Sequence, residues 1–183
     1  MLCRVLCAVF ILLGGPLSAA EWTINPAKSE IRFSGTHLGN AFDGVFESWS
    51  ADISFDAADP RIATVHVTIE TATATTGNQL YDGTLETVDW FDVKRHPHAV
   101  FDANAFALSE AGGYVADGTL TIKGNPVPLS LQFALAIEDG IATMTAHHIF
   151  DRTLLGLGSG SDPEAKWVSR EIAVKLSLVA TRR

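Results

Sequence analysis

The chain has 183 residues, a net charge of −8 at neutral pH, 47% hydrophobic residues and 19% charged residues. This composition is typical of one globular domain and excludes a disordered chain. The acidic balance argues against nucleic acid and anionic membrane surfaces as partners, because both are bound by clustered Lys and Arg.

The first 20 residues predict a secretory signal peptide, followed by a single domain over residues 21–183. Arg4 is their only charged residue, an apolar run follows from Val5 to Leu13, and small residues end at Ala20. An apolar run of this length is too short to cross a bilayer as a helix. We therefore expect an exported protein, located in the periplasm if the source is a Gram-negative bacterium.

Both cysteines of the chain, Cys3 and Cys7, lie inside this predicted leader. Its removal would leave 163 residues with a net charge of −9 and no thiol. The mature protein is thus expected to have no disulfide, no thiolate metal ligand and no cysteine nucleophile.

The first half of the domain predicts strands. One is expected at residues 30–36, after a break at Pro26. Residues 44–55 and 65–69 alternate apolar and polar side chains, and the turn-rich segment 56–60 joins them. This pattern predicts a hairpin with one buried face.

Helical spacing is plausible only within residues 78–92, where Leu80, Leu85 and Val88 could share a face. Gly83 weakens the helical pattern. We expect a short helix here, in one piece or two, that crosses one end of the sheet.

The second half predicts further strands, most of them in a meander. Their patterns cover residues 99–106, 114–122, 127–137, 141–150 and 170–181. Two reversals are expected between the middle three strands. One is at residues 123–126, where Pro126 cannot extend a ladder, and the other is at Asp139-Gly140.

About eight strands and one helical insertion predict an all-β fold, an eight-stranded antiparallel barrel. Closure of the sheet is expected because it covers the apolar face and removes exposed edges. The interior of such a barrel is either filled by side chains or holds one small ligand. Composition leaves both alternatives open.

Few residues suggest chemistry. His96 and His98 could share a metal ion, but no second cluster with ligand spacing accompanies them. The sequence has no nucleophile elbow and no HExxH helix, and Ser159 lies in a Gly-Ser-Gly turn without the elbow's spacing. We therefore expect a non-enzymatic protein without a metal or cofactor, and a hydrolase ranks last among the alternatives.

Two segments have two interpretations each. Asp151 and Arg152 predict either a structural ion pair whose arginine also bonds carbonyl groups, or a polar anchor at the mouth of a cavity. The adjacent aromatic residues Trp90 and Phe91 predict either a plug of the barrel end or the lid of an apolar pocket. The pattern alone does not decide between them.

Three segments with distinctive residues occur in order at suitable spacing. They are Asp89-Trp90-Phe91-Asp92 with His96-Pro97 and Phe101, then Gly118 to Gly124 (GTLTIKG), then Phe150-Asp151-Arg152-Thr153 with Gly156 and Gly158. Together they resemble the YceI-like family of exported, lipocalin-like lipid-binding proteins, and the resemblance extends over essentially the whole mature chain.

The resemblance implies a barrel with a helix across it and a long tunnel that takes a polyisoprenoid, an isoprenoid quinone or a similar long-chain amphiphile. The expected role is that of a carrier or buffer. Many members carry an Arg-Asp pair in the insertion, and here the matching residues are Tyr81 and Asp82, so only the Asp carries over.

The candidate ligand-binding residues come from alternating strand faces, from the helical end and from the two polar positions. They are Phe33, Phe46, Ile53, Phe55, Val65, Val67, Ile69, Asp82, Trp90, Phe91, Phe101, Leu120, Ile122, Leu129, Leu131, Phe133, Leu135 and Arg152. The alternative function is that of an accessory protein of a b-type membrane cytochrome, with a filled barrel. A homodimer is also open, although no sequence signature indicates one.

Overall fold

A computed structural model describes residues 19–183, so the predicted leader lies almost entirely outside the described residues. The strands are β1 (Ala20–Ile24), β2 (Glu30–His37), β3 (Asn40–Phe46), β4 (Trp49–Phe55), β5 (Thr64–Glu70), β6 (Ala74–Thr75), β7 (His98–Leu108), β8 (Tyr114–Ile122), β9 (Asn125–Glu138), β10 (Ile141–Asp151) and β11 (Glu171–Arg182). The one α-helix within the described residues is α1 (Gln79–Leu85), and short 3₁₀ turns cover Pro26–Lys28, Pro60–Ile62 and Thr71–Thr73. Within residues 19–183, none of the helices is both long and apolar enough to cross a membrane.

Eight of the strands form a closed antiparallel ring. Its order is β1, β4, β5, β7, β8, β9, β10 and β11, and β1 closes the ring by pairing with both β4 and β11. The remaining strands β2, β3 and β6 continue from the edge of β11 next to β1. The predicted eight-stranded barrel with a helical insertion is confirmed.

Strand alternation decides which side chains enter the barrel. In β9, Leu129 and Leu131 are buried and the residues between and beside them are exposed, as the period of two requires. We call the end covered by α1 and the following turns the helix end. The opposite end, at the β9–β10 turn of Asp139 and Gly140, is the hairpin end; both turn residues have positive φ, the geometry that a two-residue hairpin needs.

Two strand predictions are wrong at their boundaries. Residues 44–55 are not one strand but parts of β3 and β4, because the chain turns at Glu47 and Ser48. The N–H groups of these two residues donate to the carbonyl oxygen and the hydroxyl of Thr73, respectively. The reversal after β8 needs only Lys123 and Gly124, both with positive φ, so β9 begins before Pro126 rather than after it.

Residues 20–24 form a strand that the pattern did not predict, because the apolar stretch before Pro26 is short.

The predicted helix also differs from α1. Asn78 caps α1 by accepting hydrogen bonds from the N–H groups of Leu80 and Tyr81, and the helix ends after seven residues. Leu80 and Val88 point to solvent, and only Leu85 of the predicted apolar face reaches the barrel.

Candidate functional site

Two apolar cavities lie in series inside the barrel. Cavity 1, at the helix end, has a volume of about 160 Å³, and cavity 2, at the hairpin end, has a volume of about 110 Å³. Four residues line both cavities and form a ring that we call the neck: Val67, Phe101, Leu131 and Leu176. The interior is therefore partly open, with a narrowing at mid-height.

Seventeen of the eighteen candidate ligand-binding residues line these cavities. Cavity 1 contains Phe33, Phe46, Val67, Ile69, Trp90, Phe91, Phe101, Leu120, Ile122, Leu129, Leu131 and Arg152. Cavity 2 adds Ile53, Phe55, Val65, Phe133 and Leu135. Three of the candidates in cavity 1 belong to the neck and therefore line both cavities. That they contact a ligand stays a prediction, but the fold brings them together in one enclosed space.

Asp82 is the exception, since it lines neither cavity. Its carboxylate accepts hydrogen bonds from the Thr75 hydroxyl (2.9 Å), the Thr76 N–H (2.7 Å) and the Thr76 hydroxyl (2.7 Å). Burial opposes its ionisation, but these bonds outweigh burial and hold the pKa of Asp82 below its ordinary value. The carboxylate thus ties α1 to the segment that precedes it.

Sequence reasoning missed the cavity wall contributed by β2, β10 and β11. The missed residues of cavity 1 are Ile31, Phe42, Leu85, Ala99, His148, Phe150, Leu155, Leu157, Ile172, Val174 and Leu176. For three of them a signal was present: Ile172, Val174 and Leu176 alternate strictly along β11, so they were expected to share one face, although they were not among the candidate ligand-binding residues. No periodic signal identifies Leu155 and Leu157, because they lie in a loop.

Arg152 lies fully buried at the helix end, against cavity 1. Its guanidinium donates to the carbonyl oxygens of Leu157 (2.7 Å), Val168 (3.0 Å) and Ser169 (3.1 Å), and to the Asp162 carboxylate at 2.7 Å. Burial lowers the pKa of Arg152, and the neighbouring Asp162 carboxylate acts in the opposite direction. These bonds engage the guanidinium on the loop side, which supports the structural interpretation of Arg152.

The ion-pair partner of Arg152 is Asp162, not Asp151 next to it in sequence. The Asp162 carboxylate also accepts from the N–H groups of Lys166 (2.7 Å), Trp167 (3.1 Å) and Val168 (2.9 Å). Burial alone would raise the pKa of Asp162, but these bonds and the charge of Arg152 lower it. The pair therefore holds the loop after β10 in place over the barrel.

Trp90 and Phe91 cover the helix end of cavity 1. The Trp90 ring lies 5.3 Å from the Arg152 guanidinium, a cation–π contact. The preceding Asp89 carboxylate accepts from the Gly160 N–H (2.6 Å) and from the Ser161 N–H (2.9 Å). The cover is thus fastened to the loop after β10 on both sides. Because an apolar cavity lies beneath it, the aromatic pair covers a pocket rather than filling the barrel end.

His148 is a half-buried residue of cavity 1 that carries no hydrogen bond from its side chain to any of residues 19–183. Its ring stacks obliquely on Phe150, with ring centroids 4.5 Å apart. Burial, with a smaller effect of His147, lowers the pKa of His148. The neutral imidazole is therefore favoured at this place in the wall.

His96 and His98 are the candidate metal pair. His96 lies just before β7, and His98 is the first residue of β7. Within the part of the chain that the structure describes, no group of three His, Cys, Asp or Glu side chains is placed to hold a metal ion.

The fold and the two cavities define a closed antiparallel β-barrel protein with a partly open, apolar interior. Residues 22–180 match the family model of the YceI-like domain, and the chain belongs to that family. The resemblance seen in the sequence is confirmed.

Two of the relatives similar to this chain are UPF0312 proteins. The protein of Ectopseudomonas mendocina (strain ymp) is 30% identical over 127 residues, which cover 67% of this chain and 66% of the relative. The protein of Shewanella baltica (strain OS185) is 31% identical over 126 residues, which cover 67% of this chain and 65% of the relative. The chain thus spans just under two thirds of the length of these relatives.

Solved structures with the same fold include BcnA of Burkholderia cenocepacia, with a TM-score of 0.82 and 28% identity over 87% of this chain and all of BcnA. A polyisoprenoid binding domain from Saccharophagus degradans, implicated in plant cell wall breakdown, has a TM-score of 0.68. It is 11% identical over 90% of this chain and 99% of that domain, so this likeness supports the fold alone.

Proposed function

We propose that this protein binds a long-chain isoprenoid lipid inside its barrel and acts as a non-enzymatic carrier or buffer. The observation that carries the proposal is the pair of apolar cavities that meet at the neck. A polyprenyl chain has no hydrogen-bonding groups, so its affinity depends on the apolar area removed from water. Two narrow cavities in series suit a long, thin apolar chain better than a compact ligand.

Family membership supports the same ligand class. The similar domain from Saccharophagus degradans is described as polyisoprenoid binding. An isoprenoid quinone or another amphiphile with a long tail fits the same walls. Of the polar side chains that line cavity 1, Arg152 is occupied by its own loop. His148 has no acid or nucleophile bonded to it within residues 19–183, which supports binding rather than catalysis.

The proposed location is the periplasm. Its support is the predicted leader at residues 1–20, whose apolar run and small C-terminal residues are typical of signal peptides. The alternative function, an accessory protein of a b-type membrane cytochrome, assumes a filled barrel. The open volume of the two cavities favours the carrier proposal over this alternative.

Native mass spectrometry of the protein purified without detergent from its own periplasm tests the proposal. We expect an adduct with the mass of an isoprenoid lipid, identified after organic extraction. The variant Leu131→Arg places a charge at the neck and should lose the adduct, because charge burial in an apolar site is costly. Ser130→Arg, the exposed neighbour on the same strand, is the matched control and should keep it.

An apo mass that stays unchanged after incubation with polyprenyl lipids would overturn the carrier proposal. Such a result, combined with co-purification of a membrane cytochrome, would favour the accessory function. A mass twice that of the chain with one shared lipid would instead add a homodimer to the carrier proposal.

A further inference from the structure

The wall of the barrel is interrupted between β9 and β10. The two strands pair from the hairpin end as far as Phe133 and Ala146. In the described chain, residues 125–132 of β9 then pair only with β8, and residues 147–151 of β10 pair only with β11. We call the space between these two unpaired edges the lateral gap.

Two prolines prevent pairing at the far end of the lateral gap. Pro126 and Pro128 pair with Thr121 and Thr119 of β8 inside an intact ladder. Alternate residues of a strand direct their N–H groups to opposite neighbours, so both prolines lack a donor on the side that faces β10. Continuing the observed register would place Pro128 opposite Asp151, where no N–H is available to pair.

The lateral gap opens directly onto cavity 1. Leu129 and Leu131 from one edge, and His148 and Phe150 from the other, all line this cavity. The rings of His148 and Phe150 lie side by side on the β10 edge, with their centroids 4.5 Å apart and their planes tilted by 57°. No hydrogen bond within residues 19–183 fixes the His148 ring.

The helix end is closed more firmly than the lateral gap. There, the Lys123 ammonium bonds the carbonyl oxygens of Asp89 (3.0 Å) and Gly156 (3.1 Å), and the Gly158 N–H bonds Asp89 at 2.8 Å. The buried guanidinium of Arg152 fastens the same loop. Opening this end would break several hydrogen bonds at once.

We infer that the ligand enters and leaves the barrel sideways, through the lateral gap between β9 and β10, with the rings of His148 and Phe150 as its movable cover. The exposed side chain of Ile149 on the outer edge of the gap offers an apolar contact for an approaching lipid tail. This inference rests on the proposed lipid-binding function and adds the path that the lipid takes.

A cross-link over the gap tests the path. In full-length protein with Cys3 and Cys7 replaced by Ala, Ser130→Cys and Ile149→Cys place two exposed thiols across the gap at matching register. The control pair, Ala134→Cys and Thr145→Cys, joins the same strands where they are already paired. Each pair is closed by oxidation or, if the sulfur atoms lie too far apart for a disulfide, by a short bifunctional thiol reagent.

The readout is the uptake rate of a fluorescent geranylgeranyl alcohol, followed by stopped flow. Closing the gap pair should slow uptake by about tenfold or more, whereas closing the control pair should leave the rate within about twofold. Treatment with a reductant should restore fast uptake in the oxidised gap variant. Pro126→Val with Pro128→Val, which restores two donors, should slow uptake in the same direction.

Uptake at the control rate through a closed gap would overturn the inference. In that case Ile137→Trp, at the hairpin end where Ile137 is 38% exposed and lines cavity 2, should reveal the route by slowing uptake. Failure of the proposed function looks different, because the probe would then bind none of the variants, including the open reduced forms.

Discussion

Closing the neck should weaken the binding of long ligands much more than the binding of short ones. Leu176 of β11 lines both cavities, and Leu176→Trp would place a larger side chain between them. A long lipid would then lose its contacts in cavity 2. Burial is worth about 0.8 kcal/mol per CH₂, so each five-carbon prenyl unit kept out of cavity 2 forfeits up to about 4 kcal/mol, or about a thousandfold in Kd.

The assay compares the dissociation constants of a two-unit and a four-unit prenyl alcohol for each variant. In Leu176→Trp, the four-unit alcohol should bind at least about 100-fold more weakly, while the two-unit alcohol, which fits cavity 1, should change by less than about threefold. Lys175→Trp, at the exposed neighbouring position, is the control and should affect neither ligand. Equal losses for both alcohols, or none for the longer one, would refute a ligand that extends through the neck.

Three further predictions concern stability. Arg152→Met should lower the free energy of unfolding by about 3–5 kcal/mol in denaturant titrations, because it leaves the buried Asp162 carboxylate unpaired, whereas the exposed Arg170→Met should cost less than about 1 kcal/mol. The pKa of Asp162 is lower in the folded protein than its ordinary value of 3.8, so its carboxylate stabilises the fold at pH values above 3.8. This stability is lost as the pH falls through the folded pKa, so Asp162→Asn should flatten the acid limb of a stability–pH curve. Burial lowers the pKa of His148 from 6.5, so the unfolded chain binds its proton first and stability should fall from pH 7.5 to 5.5. His148→Phe should reduce that fall, and an unchanged slope would show that His148 is not its source.

Alternation was the most informative signal in the sequence. It predicted β8 over residues 114–122 as the structure has it, and the inward faces of β5 and β9. It failed where a strand is interrupted or very short, as at Glu47 and in residues 20–24. We also placed Pro126 in the reversal before a strand, because a proline that faces an unpaired edge cannot be distinguished from a strand breaker without knowing the neighbours.

The sequence by itself determined the all-β barrel, the family and most of the residues that face the interior. These follow from a period of two, from turn residues and from motifs, all of which are local. Only the tertiary structure decided that the interior holds two cavities with a neck, that Arg152 pairs with Asp162, and that the ladder between β9 and β10 stops at mid-height. Cavities, distant ion pairs and missing strand pairs depend on which segments become neighbours, and that depends on the closure of the whole sheet.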